Sequence, residues 1–102
     1  MIRVLIKYVN DNLELLKIKG HAESEQYGHD LVCAGISALV TAGLNNLDGI
    51  KRYDVIYEEG DVEIKLNDIT EHDKIVLETV IVGIKSIEES YPENVKIKLE
   101  ND

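Results

Sequence analysis

The stretch GHAESEQYGHDLVCAGIS, Gly20 to Ser37, holds the only cysteine of the chain, Cys33, and two of its three histidines, His21 and His29. A thiolate attacks carbonyl carbon readily, and an imidazole is the usual group for handing a proton to the departing amine. Asp30 has the side chain of a helix N-cap, able to accept a backbone N–H from Val32 or Cys33. Cys33 then falls in the first helical turn, where unpaired N–H groups and the positive end of the macrodipole lower a thiol pKa. A carboxylate of Asp30 aimed at the sulfur acts the other way. His21 ends the preceding strand and His29 stands four residues before Cys33, and spacing alone does not choose between them. Gly20 and Gly28 bracket the polar run between, and glycine permits hinge-like backbone angles at both ends.

Blander chemistry competes for the same residues. A lone intracellular cysteine is more often a small buried hydrophobe than a nucleophile, but Cys33 stands beside the apolar stripe of its helix rather than on it. His21, His29, Asp30 and Cys33 together offer mixed metal ligands. With no CxxC and no HxxxH pair in the chain, we expect no metal and no cofactor. Glu23 and Glu25 are a possible acid–base pair that reads better as solvated charge, and His72 reads as a surface residue.

The elements that must carry these groups follow from periodicity. Ile2, Val4, Ile6 and Tyr8 alternate, Asn10-Asp11-Asn12 is turn chemistry, and Leu13 to Lys19 completes a hairpin. From Leu31 the period lengthens. Val32, Ile36, Leu39, Val40, Gly43 and Leu47 form a helical stripe that ends among Asn45, Asn46, Asp48 and Gly49. Tyr53/Val55/Tyr57 and Val62/Ile64/Leu66 make a second hairpin around Glu59-Gly60-Asp61. Thr70 and Asp73 suggest a capping box for a second helix, striped by Val76, Val80, Gly83, Ile84, Ile87 and Tyr91 and closed by Pro92. Val95, Ile97 and Leu99 alternate in a last strand. The order ββαββαβ predicts an α+β two-layer sandwich, a single domain over 1–102, with both helices on one face of an antiparallel or mixed sheet. Ile75, Leu77 and Ile81 add apolar positions outside the second stripe and suggest burial against a second subunit, hence a homodimer.

Composition narrows the partners. With 102 residues, 44% of them hydrophobic, the chain can bury a real core. A net charge of −9 disfavours nucleic acid or an anionic membrane as a direct partner, and no segment is apolar for long enough to span a bilayer. The absence of a signal-peptide pattern and the single cysteine point to the cytoplasm.

The pattern G-H-A-x5-G-x-D-x-V-C-A-x-x-S is present as Gly20-His21-Ala22, Gly28, Asp30, Val32-Cys33-Ala34 and Ser37. It resembles the bacterial ribosomal-processing cysteine protease family (Prp), and the likeness extends over the full chain. The resemblance implies a homodimeric endopeptidase that removes a short N-terminal extension from a basic large-subunit ribosomal protein (number twenty-seven). It implies Cys33 as nucleophile, His21 as general acid–base, and Asp30 and Ser37 as supporting polar residues, with His29 at a variable position. The rival reading is a ribosome-assembly binding module without catalysis, its cysteine structural or redox-sensing.

Overall fold

The computed structural model describes residues 1–20 and 29–102, the side chains of His29 and Asp30 excepted. Its elements run β1 (Ile2–Val9), β2 (Asn12–Lys19), α1 (His29–Asn45), a 3-10 turn at Ile50–Arg52, β3 (Asp54–Glu58), β4 (Asp61–Lys65), α2 (Glu71–Ser90) and β5 (Val95–Asn101). The strands form one sheet in the order β3-β4-β2-β1-β5. It is mixed: β1 pairs with β5 in parallel, and every other pairing is antiparallel.

Register decides which side chains meet the helices. Val4, Ile18 and Val62 stand opposite one another across three strands, as do Ile6, Leu16 and Ile64, and these positions face the core. Between Lys7 and Tyr8 the pairing of β1 with β2 slips, leaving Glu14 as the extra residue of a bulge. A bulge reverses the inward parity, so Leu13 and Leu16 are both buried although they stand three positions apart. The carbonyl of Glu14 is taken up by the N–H of Leu66 at 2.8 Å. The other face of the sheet carries charge, including Arg3, Lys17, Lys19, Lys96 and Lys98.

Both helices cover the same face. Tyr8 and Tyr57 share the inward side of the sheet; Tyr8 donates to Glu78 of α2 at 2.9 Å, while the Tyr57 hydroxyl meets Thr41 Oγ1 of α1 at 2.6 Å. Burial, and then the Glu78 carboxylate it donates to, push the Tyr8 phenol up to about 12. The two-layer α+β expectation therefore holds.

Two apolar residues assigned to a subunit contact belong instead to the protein's own core. Leu77 and Ile81 are fully buried, because α2 packs against the sheet and against α1 at once; only Ile75 of that group is exposed, at 65%. The helices run antiparallel and meet through small residues. Gly35 faces Ile87, Leu39 faces Gly83, and Gly43 faces Val80. A Cβ on Gly43 would lie 2.6 Å from Val80 Cγ2, and a β-branched side chain has little freedom to turn away. Gly43→Ala is therefore expected to cost about 1–2 kcal/mol despite the better helix propensity of alanine, measured by urea unfolding. Gly83→Ala should cost less, since the atoms it meets are the methyl ends of Leu39.

The start of α2 is tied to the end of α1 by one carboxylate. Thr70 caps the helix by accepting the N–H of Asp73 at 3.2 Å. The Asp73 side chain does not close a capping box. It is fully buried and accepts from the N–H of Asp48 at 2.8 Å, the N–H of Gly49 at 3.0 Å and the hydroxyl of Tyr53 at 2.8 Å. His72 beside it is exposed, as expected, and its Nε2 meets the carbonyl of Asn46 at 2.8 Å.

Candidate active site

Cys33 is the fifth residue of α1, because the helix begins at His29 rather than at Leu31. Two expectations change. Asp30 lies within the first helical turn, not at the N-cap. The N–H of Cys33 stands where the helical ladder reaches the carbonyl of His29, so it is not among the unpaired N–H groups of the helix start. The macrodipole also acts more weakly one turn in, and activation of the thiol falls more heavily on a partner side chain.

Cys33 is partly exposed and packs on the rim of the core. Val32 and Ile36 are buried on either side of it, which holds the helix against the sheet and leaves the sulfur-bearing face toward a cavity of about 450 Å³. Ser37, one turn on, lines the same cavity. The sheet supplies the floor through Ile2, Ile18 and Val62, and the β3–β4 turn supplies a wall from Tyr57 to Asp61.

Gly20 forms part of that cavity at the end of β2. Its φ is 141°, its N–H donates to the carbonyl of Gly60 at 3.1 Å, and a Cβ there would collide with the carbonyl oxygen of Met1 and lie 2.9 Å from Ile2 Cα. Only glycine fits so close a backbone approach. Where the sequence suggested a hinge, Gly20 is a tightly packed point of departure from the sheet. His21 and Gly28 lie outside the described residues, as do the side chains of His29 and Asp30.

Sequence reading missed the wall. Glu59, Gly60 and Asp61 read only as a hairpin turn and Glu58 takes no role in that reading, and it is the register Ile18↔Val62 that brings these residues beside the cysteine. No local pattern announces a contact between residues so far apart in the chain.

Cys33 on α1 and Ser37 one turn later open together onto a cavity at one end of the α+β sandwich, where a partly exposed thiol can meet a bound substrate. Residues 1–96 match the family model described as cysteine protease Prp. The ribosomal processing cysteine protease Prp of Staphylococcus aureus is 33% identical over 96 residues, covering 87% of this chain and 91% of that protein. The Bacillus subtilis protein of the same name is 25% identical over 107 residues, covering 95% and 96%. The crystal structure of the S. aureus protease with a covalently linked product peptide superposes with a TM-score of 0.85 at 32% identity, over 98% of this chain and 100% of that one. The chain belongs to the Prp family of cysteine proteases.

Proposed function

We propose that the protein is a cytoplasmic endopeptidase that removes the N-terminal extension of a basic large-subunit ribosomal protein (number twenty-seven), with Cys33 as nucleophile and His21 as general acid–base. The observation that carries this reading is the cavity shared by Cys33, Ser37 and Gly20, the residue bonded to His21. The names of the S. aureus and B. subtilis relatives support the ribosomal substrate.

In this reaction the Cys33 thiolate adds to the scissile carbonyl carbon. The C–N bond breaks as His21 gives its proton to the leaving amine, and a thioester remains. His21 then takes a proton from water, whose oxygen displaces the Cys33 sulfur and frees the carboxylate product. Asp30 and Ser37 are the supporting polar residues, and Ser37 offers a hydroxyl to the cavity that Cys33 faces. Incubating the extended ribosomal protein with the enzyme and weighing its N-terminal product by mass spectrometry tests the assignment. A substrate left intact by well-folded enzyme counts against it.

The active species in this proposal is a homodimer. Sedimentation at micromolar concentration should give twice the chain mass, and a monomer at that concentration removes the dimer.

A further inference from the structure

The two edges of the sheet are treated differently. Along β5, the N–H of Ile97 is taken by the carboxylate of Glu88 at 2.6 Å, and Lys96 and Lys98 stand to either side. A capped amide and flanking lysines are how a sheet keeps another strand from adding. On β3 no such device is present among the described residues. This strand has neither lysine nor proline, and Ile56 and Tyr57 are 43% and 51% exposed.

The main chain of β3 is arranged to receive a partner. Glu58 and Asp61 close a two-residue turn, with Gly60 at a φ of 75°. The pair flanking such a turn exchanges hydrogen bonds, and bonded pairs then alternate along an antiparallel ladder. Ile56 and Asp54 are therefore turned toward β4, while the N–H and C=O groups of Val55 and Tyr57 point away from the sheet. Beyond the β3–β4 ladder, no hydrogen bond to either amide occurs among the described residues. Five residues at about 3.3 Å each give an edge roughly 17 Å long.

That edge runs into the cysteine cavity. Tyr57 and Glu58 belong both to β3 and to the wall facing Cys33, and the contact between Tyr57 and Thr41 sets the end of β3 against α1. We propose that the substrate polypeptide binds as a sixth strand on β3, its main chain pairing with Val55 and Tyr57, so that the scissile bond is delivered into the cavity at Cys33. Continuity of edge and cavity singles out the extended substrate chain as the occupant. Main-chain pairing holds the peptide by its backbone, and side chains select only at alternate positions. The inference rests on the proteolytic reading above and specifies how that site engages its substrate.

Two measurements test it. In the first, synthetic peptides spanning the extension and the residues after it are each N-methylated at one amide and cleaved by the wild-type protein. Losses in kcat/KM of about fivefold to tenfold are expected at every second residue on one side of the scissile bond, with little change between. In the second, amide hydrogen exchange is followed in Cys33→Ala with and without the unmodified peptide. Exchange at Val55 and Tyr57 should slow on peptide addition, while Ile97 stays unchanged. A flat methylation scan or unaltered exchange at Val55 and Tyr57 overturns the added strand. Protection of both amides without peptide, growing with protein concentration, also overturns it and places a second copy on the edge. If wild-type protein cleaves no peptide, the proteolytic reading fails instead, and the exchange measurement still decides whether β3 accepts a strand.

Discussion

Cys33→Ala is expected to lower cleavage of the extended ribosomal protein by a factor on the order of 10⁴–10⁶ while the fold survives. The size of the effect follows from chemistry: without the sulfur no thioester forms, and the remaining groups can only hold a peptide. Survival of the fold follows from position. Cys33 is partly exposed at the cavity wall, whereas the buried contacts of this part of α1 are made by Val32 and Ile36. Removing one sulfur atom from an open wall leaves no sealed void, so the thermal midpoint should move by only a few degrees. Circular dichroism and product mass spectra on the same preparations check both halves. Residual cleavage close to the wild-type rate with an unchanged melting curve would take the nucleophile role from Cys33.

Asp73→Ala should be the most damaging single change to stability at a polar position, at about 3–4 kcal/mol, or roughly 15 °C or more in the thermal midpoint. Burial disfavours the Asp73 carboxylate, yet the donors outweigh it: the N–H of Asp48, the hydroxyl of Tyr53 and the N–H of Gly49, with His72 nearby, hold its pKa below the usual carboxylate value. A carboxyl with a lowered folded pKa stabilises the protein above its unfolded value. That contribution is fully present above about pH 4 and is lost as pH falls through the lower folded value. Urea unfolding of wild type and Asp73→Asn should therefore converge as pH falls below about 4, and above that the gap should be widest while His72 is protonated and narrow as His72 loses its proton. A gap that persists undiminished into acid would mean that the charge of Asp73 contributes nothing.

The strands and helices were legible because each writes its period into adjacent residues. Val4 and Ile6 alternate wherever their partners lie, and Thr70 meets Asp73 three residues away. The residues proposed for catalysis were legible for a similar reason, since the Cys33 motif is contiguous. What sequence did not convey was set by distant pairing. Nothing local distinguishes β5 lying parallel beside β1 from β5 extending the β3–β4 hairpin. The burial of Leu77 and Ile81 depends on α2 having two neighbours, and the position of the Glu58–Asp61 turn depends on the register of β4 against β2. The first turn of α1 was misplaced because Gly28-His29 carries no strong start signal, so a good capping residue at Asp30 drew the boundary inward.

The small-residue seam between the helices bears on the precision of the chemistry. Gly35, Gly43 and Gly83 each accept a side chain of the facing helix, so α1 is indexed along its axis against α2 at three points. A slip of one residue would shift the sulfur by about 1.5 Å, and misplacement on that scale costs reaction rate on the order of 10²-fold. Gly43 is thus a calibration point for a nucleophile ten residues away. A mutation that loosens the seam would show itself first as a lower turnover number with an unchanged KM, before any loss of folded protein.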